Sequence, residues 1–265
     1  MKTVIIDGDI LMYKIPEDYV NSMEMETEED SEAIYRTIEW GSKKGIIEYL
    51  TNKINHILEV TKSKYPVICL SSPTNFRKDL NPDYKSNRKK YKPFVYAFVR
   101  EYLKSNYTAF EREGLEADDL IGIIATYKGK LKGIPQGKKV IWSMDKDFNT
   151  IPAVFYKENI DGNCSKIVTT LKEADYYFML QTLTGDSTDG YGGCPKIGKV
   201  NAQKILGNIN DFEINSAWQK VLDTYSKQGL NSDYALMQAR CARILRAEDY
   251  DFKTKRIKLW EKTDL

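Results

Sequence analysis

The sequence predicts an α/β fold, with a central, mainly parallel sheet flanked by helices and a helical C-terminal part. Three observations carry this expectation. Short apolar runs at 3–6, 66–70 and 140–144 read as strands buried on both faces. Stretches with helical apolar spacing separate them, the alternation expected of a covered parallel sheet. Beyond about residue 174 the pattern turns helical, with no clear strand.

The elements follow in order. The run TVII at 3–6 ends abruptly at Asp7-Gly8-Asp9. Across 43–63, Ile46, Ile47, Leu50, Ile54, Ile57 and Leu58 recur at helical spacing. Pro66-Val67-Ile68-Cys69-Leu70 reads as a second strand. The segment 73–93 is polar, basic and punctuated by Pro73, Pro82 and Pro93, a long excursion rather than a core element. Helical patterns resume at 94–104 and 116–127, and a third strand at 140–144 runs into Asp145 and Asp147. The stretch 234–247 reads as an amphipathic helix packed back on the core. The acidic run 24–32 is the nearest approach to low complexity and a candidate mobile segment.

Composition excludes several classes. Four widely spaced cysteines without a CxxC pair argue against a zinc site and for a reduced, cytosolic protein. No stretch has the length of a membrane span, and the opening apolar run is too short for a signal peptide. The lone histidine, His56, lies in a helix-like stretch, so Ser-His or Cys-His chemistry has little to work with. A hydrolase here would work through carboxylates and metal. The net charge of +2 does not announce a polyanion partner, but its distribution does. Residues 17–32 hold eight acids and no Lys or Arg, whereas 77–92 hold seven Lys/Arg against two Asp.

Four acidic groups stand where a metal site would draw on them: Asp7 with Asp9; Glu116 with Asp118 and Asp119; Asp145 with Asp147; Asp186 with Asp189. Singly, each reads as a turn, a helix cap or a solvated face. Together, most fall on one edge of the expected sheet, where α/β proteins carry their sites. Carboxylates gathered in one cleft resist ionisation unless a cation joins them, and oxygen ligands suit Mg²⁺ or Mn²⁺. Two such ions can clamp a phosphodiester and activate water. Basic residues interleaved with Tyr84 and Tyr91 in 77–92 suit a single-stranded or frayed nucleic-acid end. The Gly-containing stretch 192–206, with Lys196, Gly198, Lys199 and Lys204, suits a close backbone approach to phosphate.

The series Asp7-Gly8, Gly114-Leu115-Glu116-Ala117-Asp118-Asp119, Ser143-Met144-Asp145-Lys146-Asp147-Phe148 and Gly185-Asp186-Ser187-Thr188-Asp189-Gly190 resembles the 5′-nuclease (flap endonuclease) superfamily in order and spacing. More narrowly, the chain resembles the replication 5′→3′ exonucleases of short-tailed phages. Asn75-Phe76-Arg77-Lys78, Asp83-Tyr84-Lys85-Ser86-Asn87-Arg88 and Ala242-Arg243-Ile244-Leu245-Arg246 add to this likeness. The resemblance implies a PIN-like core over 1–173 with a helical arch at about 73–104, and a helix-hairpin DNA clamp within 174–265, packed together as one nuclease domain. It implies a metal-dependent 5′→3′ exodeoxyribonuclease with flap endonuclease action, cutting DNA and RNA primers near 5′ ends during replication. Asp7, Glu116 and Asp118 would hold a first ion, with Asp119 in support, and Asp145, Asp147, Asp186 and Asp189 a second. Lys85 and Arg88 would reach the scissile phosphate. Arg77, Lys78, Tyr84 and Lys89 would contact the single strand, and Lys196, Gly198, Lys199 and Lys204 the duplex, with K⁺ at the hairpin. A monomer in the cytoplasm, that of the host for a phage-encoded protein, completes the expectation.

One departure stands out. The family places an Asp just after the second strand, and this chain has Ser72 there, leaving Asp9 or Asp79 to substitute. A catalytically weak DNA-end binder is the alternative this raises, and a PIN-type RNA nuclease is a third reading.

Overall fold

The computed structural model describes residues 1–14, 20–29, 32–88 and 92–262, with backbone alone for 20–29 and 32–41. The chain runs through β1 (Lys2–Asp7), α1 (Gly8–Tyr13), β2 (Val20–Glu29), β3 (Glu32–Gly41), α2 (Lys43–Thr61), β4 (Tyr65–Leu70), α3 (Arg77–Leu80), α4 (Tyr96–Asn106), β5 (Thr108–Glu111) and α5 (Ala117–Thr126). It continues through β6 (Lys138–Ser143), β7 (Val154–Glu158), β8 (Cys164–Val168), α6 (Leu171–Thr184), α7 (Lys199–Leu206), α8 (Ile214–Lys227), α9 (Ser232–Ala242), β9 (Tyr250–Asp251) and β10 (Arg256–Ile257).

Six strands form one sheet in the order β5-β4-β1-β6-β7-β8, parallel except for the antiparallel β7–β8 edge. Alternation along β1 explains why its run is apolar throughout. Val4 and Ile6 face a layer with Ile46, Leu50 and Ile54 of α2 and Val99 and Leu103 of α4. Ile5 faces the opposite layer with Ile121 and Ile124 of α5, Ile141 and Phe155. The helices from Leu171 onward enclose a third apolar cluster that includes Phe178, Trp218 and Tyr225. The carboxyl ends of β1, β4 and β6 therefore lie side by side. Gly8 permits a close approach there, since a Cβ would stand 2.6 Å from a Leu70 methyl and 2.7 Å from the Cys69 carbonyl.

The expected α/β sheet and helical C-terminal part are present, and several details differ. Strands β5, β7 and β8 escape sequence reading because they lie toward the sheet edges, where β5 and β8 bury no residue fully and so need no continuous apolar run. The described part of the acidic run, 24–29 with Glu32, is strand: β2 and β3 pair antiparallel from Val20↔Gly41 to Glu29↔Glu32, while 30–31 lie outside the described residues. Within 73–93, Arg77–Leu80 is the one helical stretch among the described residues. Helix α9 stops at Ala242, and the following Arg243–Arg246 is buried and non-helical. No described helix is long and apolar enough to cross a membrane, and all four cysteines are free thiols.

A buried guanidinium joins three distant parts of the chain. Arg77, 2% exposed, donates from Nη1 and Nη2 to both oxygens of Asp119 at 2.8 and 2.7 Å. It also donates to the Cys241 carbonyl at 3.1 Å and the Arg243 carbonyl at 2.5 Å. Asp119, fully buried, accepts in addition from the Leu245 amide at 3.1 Å and the Glu116 amide at 3.2 Å. Two expectations change accordingly. Arg77 is not open to DNA, because its donors are taken up inside the protein, and Asp119 is not available as a metal ligand, because both its oxygens are held by Arg77. The tail is built on the same principle: Arg246 donates to the Thr150 carbonyl and pairs with Asp175 at 2.7 Å, and Arg243 pairs with Asp249 at 2.9 Å.

Removing one partner of such a pair strands the other's charge in the interior. Arg77→Met should cost about 3–5 kcal/mol, lowering Tm by on the order of 10 °C in thermal unfolding, whereas Lys78→Met on the exposed side of the same helical turn should leave Tm within a degree or two.

Candidate metal centre

The carboxyl edge of the sheet opens on a cavity of about 170 Å³ lined by Asp7, Asp9, Glu116, Asp118, Asp145, Asp147 and Asp189, with Lys85, Arg88 and Tyr84 on its rim. Local structure aims each group. Asp7 closes β1, accepts from the Asp9 amide at 3.2 Å and receives the Ser143 hydroxyl at 2.9 Å. Glu116 caps α5, and Asp118 stands in its first turn. Asp145 leaves β6 and caps a 3-10 turn, accepting from the Asp147 amide at 2.8 Å. Asp186 and Asp189 sit in the turn after α6; Asp189 lines the cavity, whereas Asp186 does not and pairs with Lys146 at 3.6 Å.

The electrostatics divide the cavity in two. On one side, burial, with the charges of Asp9 and Asp145, raises the Asp7 carboxyl to about 7. Burial and the charges of Asp7 and Asp145 push Asp118 well above the carboxylate range. Burial and Asp145 likewise raise Asp147 to about 7, and its Oδ1 is buried without a hydrogen-bond partner. Asp9 is also raised, by burial first and by Glu116 among the charges. On the other side, Lys85 and Arg77 overcome the effect of burial and hold Glu116 down at about 2. Lys85 forms a close ion pair with Glu116 and lies 3.7 Å from Asp189, and Arg88 pairs closely with Asp189.

Among the described residues, no three acidic, histidine or cysteine side chains are already disposed to hold one ion. Lysine and arginine stand against the carboxylates a cation would otherwise draw inward. The donor set nonetheless fits a hard divalent ion. Every candidate ligand is an oxygen, Asp147 of the cavity wall has an Oδ1 buried without a hydrogen-bond partner, and the crowding that raises Asp7, Asp118 and Asp147 is what a divalent cation would relieve.

The base of the 73–93 segment is docked onto the turn that carries Asp189. The Lys85 amide donates to the Asp189 carbonyl at 2.7 Å, and the Asn87 side chain to the Ser187 carbonyl at 2.8 Å. Lys85 adopts φ of 53°, a strained setting for a side-chain-bearing residue that turns its ammonium into the cavity. Gly190, at φ of 72°, permits the contact: a Cβ there would lie 2.4 Å from the Asp83 carbonyl. Tyr84, expected to stack on a base, is instead 2% exposed and donates to Glu116 at 3.0 Å and to Asp189 at 3.1 Å.

The other expected residues lie outside the cavity. Lys78 lines an adjoining groove of about 820 Å³ with Lys92, Arg100 and Lys104, and this groove shares Asp9, Ser71, Lys85, Arg88 and Glu116 with the cavity. Ser72 belongs to the groove, its hydroxyl 3.1 Å from that of Thr74. Of the two carboxylates named as substitutes for the absent Asp, Asp9 lines the cavity and Asp79 does not. Lys196, Gly198, Lys199 and Lys204 form a separate exposed surface around the start of α7, with Lys196 at φ of 65°. Lys89 lies outside the described residues. Sequence reading missed Lys146, whose position between two aspartates was the available signal, and Arg100, which offered none.

Comparison with known proteins agrees with this architecture. Residues 2–154 match the model of the 5′-3′ exonuclease N-terminal resolvase-like domain. The exodeoxyribonuclease of Enterobacteria phage T3 is 29% identical, covering 97% of this chain and 92% of its own length. The exonuclease of Escherichia phage T7 is 28% identical over the same shares. Among solved structures, the D15 protein of bacteriophage T5, co-crystallised with metal ions, superposes with a TM-score of 0.58 at 15% identity, covering 92% of this chain and 90% of that one. The matched domain carries Asp7, Glu116, Asp118, Asp145 and Asp147, and the chain belongs to the 5′-3′ exonuclease family defined by that N-terminal resolvase-like domain.

Proposed function

We propose that this protein hydrolyses DNA phosphodiesters at or near 5′ ends, as a divalent-metal-dependent 5′→3′ exodeoxyribonuclease that also cuts flaps. The ring of carboxylates around one cavity, with Lys85 and Arg88 at its rim, carries this reading. The T3 and T7 relatives, named exodeoxyribonuclease and exonuclease, match along nearly their whole length. A T5 flap endonuclease crystallised with DNA and metal ions shares the fold at a TM-score of 0.58.

Asp7, Glu116 and Asp118 would hold one Mg²⁺ or Mn²⁺, and Asp145, Asp147, Asp186 and Asp189 a second. Bound there, such ions supply Lewis acidity, an activated water and stabilisation of the leaving oxygen. The chain's own residues do the rest. Asp119 fixes the start of α5 through the Glu116 amide and so orients Glu116 and Asp118. Lys85 and Arg88, which pair with Glu116 and Asp189 at the cavity, would offer their charge to the phosphate oxygens. Tyr84 positions Glu116 and Asp189 by hydrogen bonding. The basic groove with Lys78, Lys92, Arg100 and Lys104 suits the strand entering or leaving the cavity, and the surface of Lys196, Gly198, Lys199 and Lys204 suits the duplex backbone. Residues 1–173 then form the catalytic core and 174–265 the clamp, acting as a monomer. RNA primer strands are included as substrates because Lys85, Arg88 and the ions held by the carboxylates would contact phosphate rather than sugar. K⁺ at the turn before α7 rests on the family resemblance alone.

Digestion of 5′-labelled duplex and 5′-flap DNA tests this. Short 5′ products are expected with Mg²⁺ and none with chelator, and Asp147→Ala should reduce cleavage to background while DNA binding changes little. Cleavage that survives chelation, or normal turnover by Asp147→Ala, would overturn the reading. Lys85→Ala should slow cleavage about 10²–10³-fold, with duplex affinity nearly unchanged; an equal loss of both would make Lys85 an ordinary phosphate contact.

Linkage gives a further expectation. Asp7 and Asp147, raised to about 7 from an ordinary value of 3.8, bind more protons folded than unfolded across that interval. The metal-free protein should therefore lose stability as pH rises from about 4 to about 7. Glu116, held at about 2, works the other way, adding stability above its ordinary value of 4.5 that is lost as pH falls toward 2. Divalent ions should raise Tm more at pH 8 than at pH 5, because the ligands must be deprotonated. Differential scanning calorimetry at both pH values checks this, and an equal rise would contradict it.

A further inference from the structure

Three of the elements bordering the cavity place a carboxylate there: β1 ends in Asp7, the chain leaving β6 reaches Asp145 two residues on, and α5 is capped by Glu116 with Asp118 in its first turn. Strand β4, paired directly to β1, ends instead in Leu70 and runs into Ser71 and Ser72, which bring only hydroxyls. Asp9 occupies that corner. Helix α1 turns sharply away from β1, and the tight contact of Gly8 with β4 carries Asp9 across the strand boundary. Its Oδ1 accepts from the Ser71 amide at 3.1 Å. A carboxylate offers about four acceptor sites, so acceptor capacity remains.

Among the described residues Asp9 makes no ion pair. The nearby Arg100 guanidinium pairs with Glu111 at 2.5 Å and donates to the Ser71 carbonyl at 3.0 Å. A largely buried carboxylate beside Asp7 and Glu116 is costly unless a cation or a proton compensates it. Asp147, which lines the same cavity, has an Oδ1 buried without a hydrogen-bond partner.

Resting on the metal-dependent reading above, we propose that Asp9 is a further oxygen ligand for the divalent ion on the Asp7 side, directly or through one water, and supplies the negative charge that the end of β4 does not. Asp9 lines both the cavity and the adjoining basic groove, so it stands at the seam where a strand would pass from one to the other.

The test uses the full-length protein without DNA, titrated with Mn²⁺ and followed by the electron paramagnetic resonance signal of the free ion. Asp9→Asn keeps an oxygen for the Ser71 amide and removes the charge. One Mn²⁺ is expected to bind about 10–100-fold more weakly, with circular dichroism and metal-free Tm showing an intact fold. Asp79→Asn, a carboxylate outside the cavity, should bind as the wild type does. Should Asn disturb α1, Asp9→Ser is read in the same titration. Affinity within about twofold of the wild type, or weakening by Asp79→Asn instead, overturns the assignment of Asp9 and leaves the nuclease reading standing. A wild-type protein that binds no Mn²⁺ at millimolar concentration overturns both.

Discussion

The bidentate contact between Arg77 and Asp119 is the constraint on which the site depends. Arg77 forms part of the cavity wall, and Asp119 stands behind it. Arg77 belongs to the basic excursion, Asp119 to the first turn of α5, and the carbonyls that share the guanidinium belong to the tail at 241 and 243. With both charges buried, the geometry admits little slack, because each donor and acceptor has a partner only in this arrangement. The start of α5 is fixed as a result, and with it the directions in which Glu116 and Asp118 point.

Above this support the cavity balances opposed charges. Glu116 and Asp189 are neutralised by Lys85 and Arg88, whereas Asp7, Asp118 and Asp147 are each crowded by Asp145 with little relief. A cation entering the second group meets charge that burial has made expensive, and one reaching the first must displace an ammonium or guanidinium. The two halves therefore differ in what binding requires. The docking of 83–88 on the 186–190 turn couples cation entry to the position of the basic segment, since the same side chains join both.

Several basic and aromatic residues that looked like nucleic-acid contacts proved to be scaffolding. Arg77 and Tyr84 lie in a segment whose composition suits phosphate and base contact, yet both are buried and bonded to carboxylates. Composition cannot separate a cation that meets a phosphate from one that meets an aspartate, because both need the same donors. The tail arginines, Arg243 and Arg246, illustrate the same point: their charges hold 242–246 against Asp175, Asp249 and the Thr150 carbonyl rather than facing solvent.

The sequence by itself determined the class of the fold and the chemistry of the site. Continuous apolar runs at 3–6, 66–70 and 140–144 can be satisfied only as strands covered on both faces, and carboxylates at their ends must then share an edge. Those signals are local, with the periodicity and the residue types lying within a few positions of each other. Which carboxylates face the cavity and which serve as support was decided by tertiary structure alone. Asp118 and Asp119 are neighbours in sequence, and one turns to the cavity while the other is held by Arg77, 42 positions earlier, and by the Leu245 amide, 126 positions later. Asp9 reaches the end of β4 only because β1 and β4 pair in register across 62 positions. Interactions between residues so far apart leave no local pattern, since either partner alone is compatible with many other roles.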